Sequence, residues 1–165
     1  MLRGFRVGLL LATIAGCATA ATAQGTKASK TSLIGHNLYQ MERTGALVQT
    51  AACTANARGE PAALREENGT RFLWFFSSET RCDVVASYHE NRNAREGTHR
   101  VKLQRVTDDF YREFGRRQYI RTVGCAADPM AEDVKVELQF GGSGWLSFSD
   151  GQRCRIAGVY GESVR

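Results

Sequence analysis

Phe148-Ser149-Asp150-Gly151-Gln152-Arg153-Cys154-Arg155-Ile156-Ala157-Gly158-Val159-Tyr160 decides the reading of this chain, because the chain carries a version of it once before. Seventy-two residues upstream stands Phe76-Ser77-Ser78-Glu79-Thr80-Arg81-Cys82-Asp83-Val84-Val85-Ala86-Ser87-Tyr88. Phe, Ser, Arg, Cys and Tyr fall at identical offsets, and Val84 becomes Ile156. Moving outward at the same step, Tyr39 meets Tyr111, Thr50 meets Thr122, Cys53 meets Cys125 and Ala55 meets Ala127. Glu60 meets Glu132, Gly69 meets Gly141 and Glu90 meets Glu162. A period this long, present twice, marks a duplicated module rather than a solenoid array.

The second copy reads as strands. Val134, Val136, Leu138 and Phe140 alternate with Lys135, Glu137 and Gln139, a period of two with one apolar face. Gly141-Gly142-Ser143-Gly144 is a turn, Trp145 to Phe148 a second strand, and Asp150-Gly151 a further turn. Cys154, Ile156, Gly158 and Tyr160 then fall on one face of a third strand. Gln118 to Val123 is rich in β-branched and aromatic residues, and Phe110 to Glu113 is placed to pair with it through Gly115. The expectation is an all-β protein: two tandem related modules of about five short strands each, forming a small barrel or sandwich.

The first copy is rougher. Ala62, Leu64 and Glu66 stand where the second has Val134, Val136 and Leu138. Phe72-Leu73-Trp74-Phe75-Phe76 is apolar on both faces, which predicts cover on both. Leu73 and Phe75, with Trp145, are therefore expected where the copies pack together; left exposed, they would form an interaction surface.

Residues 1–23 read as a signal peptide, with Arg3 and Arg6 ahead of an apolar run too short to span a bilayer, and Ala21-Thr22-Ala23 as the cleavage pattern. Ile14-Ala15-Gly16-Cys17 also resembles a bacterial lipoprotein box, in which Cys17 receives the lipid. Either cut implies an exported bacterial protein, periplasmic or secreted in the first case and lipid-anchored to the outer membrane in the second. Residues 24–35 read as a flexible leader, 36–88 as the first β repeat, 89–107 as a basic connector and 108–162 as the second repeat.

Four cysteines follow the signal: Cys53, Cys82, Cys125 and Cys154. An even count in an exported chain reads as two disulfides. The duplication favours Cys53–Cys82 and Cys125–Cys154, one per module, each closing a loop that contributes about 3–4 kcal/mol in the chain-entropy model. Their long spacing is wrong for zinc, so no metal is expected.

The formal charge of +5 is unevenly spread. The repeat bodies are near neutral, and the excess sits in the leader and in the connector with Arg92, Arg95, Arg100, Lys102 and Arg105. That distribution argues against a nucleic-acid groove. Arg92 and Arg95 are the candidate contacts for an anionic partner.

No catalytic set is apparent. His36, His89 and His99 have no counterpart in the other copy and no metal-ligand spacing. Gly141-Gly142-Ser143-Gly144-Trp145 lacks the second glycine of a nucleophile elbow. Glu66-Glu67 and Asp108-Asp109 are adjacent carboxylates, which point apart in a strand or turn. Arg81 and Arg153 are expected to hold Glu60 and Glu132, and the tyrosine pairs to pack in the core or at sheet edges.

The functional expectation is a non-catalytic envelope or periplasmic binding or inhibitor module, recognising a protein or polysaccharide, without cofactor or nucleic acid. Its membrane contact depends on lipidation of Cys17. A structural or accessory lipoprotein, and an enzyme with a carboxylate site, are the alternatives.

Overall fold

The structure, a computed structural model, describes residues 27–163. The signal segment and Cys17 lie outside the described residues. Twelve strands follow in order: β1 (Ser29–Gly35), β2 (Leu38–Met41), β3 (Leu47–Thr50), β4 (Arg58–Glu67), β5 (Thr70–Phe75), β6 (Thr80–Glu90), β7 (Gly97–Thr107), β8 (Phe110–Glu113), β9 (Gln118–Val123), β10 (Met130–Leu138), β11 (Gly144–Ser147) and β12 (Arg153–Glu162). The sole helical element among the described residues is a 3-10 turn at Phe140–Gly142.

Each half closes on itself. In the first, β1 pairs with β2, β2 with β3, β3 with β6, β6 with β5, β5 with β4 and β4 with β1, all antiparallel. In the second, β7 to β12 repeat the same circuit. Two six-stranded antiparallel barrels result, and closure removes the free sheet edges that would otherwise invite aggregation.

The five strands expected of each repeat are β2–β6 and β8–β12, and a sixth joins each from outside the repeat as read. The additional strands, β1 and β7, lie in the segments read as leader and connector. β1 escaped the hydrophobic pattern because its inward residues are small and polar. Ser29 and Thr31 are buried. The Ser29 hydroxyl donates to the Lys30 carbonyl at 3.2 Å and accepts from the Arg43 N–H at 3.1 Å. The Thr31 hydroxyl donates to the Ser29 carbonyl at 3.1 Å. A buried hydroxyl is tolerated when it is bonded in this way.

The duplication extends to the irregularities. Extra residues interrupt the ladders at Ile34 and Val106, at Gly59 and Ala131, and at Val85 and Ala157. Each pair is separated by the repeat step. A β-bulge re-aims the strand beyond it. Cys82 and Val84 accordingly face the interior of the first barrel, whereas Ala86 and Tyr88, past the bulge, face the other half. In β12, Cys154, Ile156 and Val159 belong to the second barrel's core and Tyr160 does not. The expected single face of Cys154, Ile156, Gly158 and Tyr160 is thus broken at Ala157. Phe140 also leaves its expected row, because the strand ends at Leu138 and the following turn exposes the ring.

The disulfides join Cys53 to Cys82 and Cys125 to Cys154, with Cα–Cα distances of 5.3 and 5.5 Å. Beside each runs the same polar clasp. The Tyr39 hydroxyl donates to the Ala55 carbonyl at 2.7 Å, and the Tyr111 hydroxyl to the Ala127 carbonyl at 3.0 Å. Asn37 and Asp109 hold positive φ, and each Oδ1 accepts the N–H of its module's first cysteine. Thr50 and Thr122 close the clasp, donating to the Asn37 carbonyl and to Asp109 Oδ1. This explains why Tyr, Thr and Cys survive at the repeat step.

Between the barrels lies a third apolar cluster of Leu38, Leu47, Tyr88, Phe110, Tyr119 and Tyr160. These are three counterpart pairs: 38 with 110, 47 with 119 and 88 with 160. The rings of Phe110 and Tyr119 stack at 5.3 Å, and Tyr88 meets them at 5.2 and 4.5 Å. Aromatic pairs in such geometries add about 0.5–1.5 kcal/mol beyond burial. Beside the cluster, β6 and β12 pair as Tyr88↔Glu162, His89↔Gly161 and Glu90↔Tyr160.

This corrects the expected packing surface. Leu73 and Phe75 are fully buried inside the first barrel. Trp145 is 38% exposed on the outside of the second. β5 and β11 do not correspond without a gap. Leu73 pairs with Leu64 and Cys82, and Leu146 pairs with Val136 and Cys154. The true counterpart of Leu73 is therefore Leu146, one residue beyond the repeat step. The hairpin before β11 is longer than that before β5, and the turn after it is shorter. In a strand, a one-residue slip exchanges the two faces.

Candidate functional site

With both disulfides and both clasps equivalent, the halves differ most at one end of each barrel. In the second, Leu138 and Val159 narrow the end, and Ala94 joins the same core cluster from the segment after β6. The Asn91 N–H bonds to the Val159 carbonyl at 2.7 Å, which anchors that segment over the opening. In the first barrel the matching positions are Glu66 and Ser87. Two apolar plugs are replaced by polar residues, and a cavity of about 970 Å³ opens there.

Elements of both halves form this mouth. β4 supplies Leu64, Arg65 and Glu66, β5 supplies Thr70 and Arg71, and β6 supplies Ser87. The second half contributes Arg117, Glu162 and Ser163. The Ser163 N–H bonds to the Ser87 carbonyl at 2.8 Å, the counterpart of the Asn91–Val159 bond. Each half thus sends the residue after its last strand to the other half's mouth. A turn of Asn68 and Gly69, both at positive φ, keeps the β4–β5 hairpin tight and the opening clear.

The electrostatics are mixed. Arg65 lies over the rings of Trp74 and Phe76, with its guanidinium carbon 5.7 and 5.2 Å from their centroids. Glu162 accepts the Tyr119 hydroxyl at 3.1 Å. Burial raises the Tyr119 pKa, and the neighbouring Glu162 carboxylate raises it further by favouring the neutral phenol. At the wall, Ser87 is 8% exposed, and its hydroxyl is the buried side-chain polar atom without a hydrogen-bond partner among the described residues. Such an atom costs about 1–3 kcal/mol unless something seats against it. Arginines, carboxylates and hydroxyls beside Leu64 and Val84 suit a polar polymer that also presents some apolar surface.

Of the candidate interaction residues Leu73, Phe75, Trp145, Arg92 and Arg95, Arg95 alone borders one of the two mouths, the smaller one of the second barrel. Arg92 pairs with Glu90 at 2.9 Å. Leu73 and Phe75 are core, and Trp145 lies beneath the Arg153 guanidinium at 4.6 Å. Arg81 covers Phe72 in the same way, at 4.0 Å. These arginines pair with Glu67 and Glu137, not with Glu60 and Glu132 as expected. Glu60 and Glu132 instead accept serine hydroxyls at the barrel's end, from Ser78 and Ser149.

The acidic neighbours have structural duties. Asp108 pairs with Arg105 at 2.7 Å. Burial alone would raise the Asp109 pKa, but the Cys125 and Gly124 N–H groups and the Thr122 hydroxyl bring it below the usual carboxylate value. His36 contacts Asn37, His89 contacts Ser163 and His99 contacts the Arg95 carbonyl. Among the described residues no three metal-ligating side chains gather.

Arg71, Ser87 and Arg117 carry no signal of identity between the repeats, because the mouth is built from positions at which the two halves differ. The signal available was Ser87 against Val159 and Glu66 against Leu138. No family model matches the chain, and neither a curated protein nor a solved structure does.

Proposed function

We propose that the protein is a non-catalytic binding module of the bacterial envelope, exported and disulfide-stapled, which holds a polysaccharide or protein segment in the mouth of its first barrel. The single observation that carries this reading is Ser87, a buried hydroxyl with no partner at the wall of a cavity of about 970 Å³, where the equivalent position of the other barrel is filled by Val159. A duplicated fold that keeps one mouth small and narrowed by apolar residues and the other wide and polar has a use for the polar end. Unsatisfied buried groups are uncommon in native proteins, and functional sites are a recognised place for them. The two disulfides fit an oxidising compartment.

The test is binding of the mature chain to purified cell-wall glycan fragments and envelope-protein peptides, followed by nitrogen-15 NMR. Saturable shifts at Arg71, Ser87 and Arg117, abolished in Ser87→Val and weakened at least tenfold in Arg71→Ala, are expected. Ligand shifts confined to other surfaces, or unchanged affinity in both variants, would dispose of the reading.

A further inference from the structure

Gln40 and Arg121 latch the two halves together. Arg121 Nη1, from the second half, donates to Gln40 Oε1 of the first at 2.8 Å. At the repeat step Gln40 answers to Arg112, and Arg121 answers to Gln49. The chain thus carries the same two residue types a second time, exchanged between the halves, and there the latch is open. Gln49 Oε1 instead accepts the Tyr88 hydroxyl at 2.8 Å. The Arg112 guanidinium makes no hydrogen bond or ion pair among the described residues. A cleft of about 540 Å³ stands at this place, lined by Gln49 and Tyr88 from the first half and by Gln104, Arg112, Arg117 and Tyr119 from the second.

The register puts Arg112 on the outer face of the second barrel. It lies opposite Gln104 and Tyr119, and Tyr119 belongs to the cluster between the halves. Glu113, the next residue, lies opposite Leu103 of the barrel core. Burial raises the pKa of Tyr88 and of Tyr119, Glu162 raises both further, and Arg112 opposes the rise at each, so its charge reaches the phenols of both halves. The charged residues of the lining are Arg105, Arg112, Arg117 and Glu162. Asp108 takes Arg105 at 2.7 Å, and the Glu162 carboxylate accepts the Tyr119 hydroxyl at 3.1 Å. Arg112 and Arg117 form no ion pair among the described residues. Arg117 and Glu162, with Val85 and Ala86, also line the mouth of the first barrel, so the cleft continues that cavity.

We propose that this cleft is a subsite for an acidic group on the ligand held in the first mouth, and that the ligand is an acidic glycan whose uronate carboxylate lies between Arg112 and Arg117. The assignment rests on the mouth being the polymer site. Guanidinium forks match carboxylate oxygens two at a time, and the walls of a cleft strengthen the attraction by excluding water. Gln49 and Gln104 each carry an amide oxygen and an amide NH2, so they both accept from and donate to sugar hydroxyls beside the carboxylate. Thr70, Ser87 and Ser163 add hydroxyls along the same path in the mouth. A lining of amides and hydroxyls set between charges suits a hydroxyl-rich chain. A peptide strand would want pockets for alternate side chains instead.

The experiment titrates the full mature chain with an oligogalacturonate, with its methyl ester, with an oligoglutamate and with inorganic phosphate, read by nitrogen-15 NMR. The oligogalacturonate is expected to bind about tenfold or more tightly than the ester, with saturable shifts at Gln49, Gln104, Arg112 and Tyr119 as well as at Ser87. Arg112→Gln installs, at an exposed position, the residue the first half carries at Gln40. It should bring the acid down to the affinity of the ester, with an unchanged circular dichroism spectrum. Equal affinity for acid and ester, with shifts at Ser87, overturns the acidic subsite and leaves the mouth standing. Shifts in the cleft alone, indifferent to Ser87→Val, remove the mouth and with it the shared ligand. Equal affinity for oligoglutamate overturns the glycan assignment in favour of an acidic peptide, and equal affinity for inorganic phosphate reduces the cleft to surface charge. No saturable shift with the oligogalacturonate overturns the proposal outright.

Discussion

His89 and Gly161 pair across the β6–β12 junction, and each is the other's counterpart at the repeat step. An approximate two-fold axis therefore passes between them. Tyr88 opposite Glu162 and Glu90 opposite Tyr160 are the same contact made twice. A residue and its own equivalent meeting on an axis is the signature of an isologous interface. The small side is filled too: a Cβ on Gly161 would lie 3.3 Å from the His89 ring. Two covalently linked modules thus meet as the subunits of a symmetric dimer meet.

The cluster beside that axis should couple the halves into one cooperative unit. Phe110 is fully buried between the barrels, and Phe110→Ala should cost about 3–5 kcal/mol in urea unfolding. Trp145→Ala, on the outer face of the second barrel, should cost less than about 1.5 kcal/mol. The reverse order would return the packing surface to Trp145.

Each half contains one tryptophan, Trp74 and Trp145. Fluorescence of Trp145→Phe then reports the first barrel and that of Trp74→Phe the second. Their denaturant midpoints are expected to coincide with each other and with circular dichroism, as for a single two-state domain. Two separated transitions would mean that the shared cluster does not bind the barrels together.

Asp109→Asn installs the residue that the first half uses at Asn37. The Thr122 and Cys125 bonds to Oδ1 become weaker bonds to an amide oxygen and the Gly124 N–H loses its acceptor, because the second carboxylate oxygen becomes an NH2 donor, at a cost of about 1–2 kcal/mol near neutral pH. The folded Asp109 pKa is depressed, so its contribution is present above the unfolded carboxylate pKa of about 3.9. It is lost as pH falls through the lower, folded value. Stability of the variant should therefore decline less below about pH 4 than that of the parent. Parallel acid limbs would remove Asp109 from the account.

Ser87→Val should raise stability by about 1 kcal/mol, because it removes an unsatisfied buried hydroxyl and adds the side chain already present at Val159. Thermal or urea unfolding measures this without any ligand. A loss instead would mean that the hydroxyl is already satisfied, by water for example.

Gly144 is the glycine with least latitude. Its φ is +151°, and an added Cβ would fall 1.8 Å from the Glu137 carbonyl oxygen. Gly144→Ala should cost more than about 3 kcal/mol, whereas Gly141→Ala, with φ +80° but open space, should cost about 1–2 kcal/mol. Similar losses at both would show that backbone conformation alone limits this turn.

The letters by themselves settled the all-β class, the duplication and the pairing of Cys53 with Cys82 and Cys125 with Cys154. Those features are local or repeated, so alternation along one strand or identity at one offset was enough to reveal them. Tertiary structure decided which face of each strand looks where. The bulges at Val85 and Ala157 turn Tyr88 and Tyr160 away from their own barrels, and the one-residue slip between β5 and β11 buries Leu73 while it exposes Trp145. Neither a bulge nor a slip changes composition or period enough to be read from the chain, because each inserts or moves a single residue. The mouth of the first barrel was hidden for a related reason. Glu66, Arg71, Ser87 and Arg117 come from four separate segments, and only closure of the strand circuit and the contact between halves bring them to one opening.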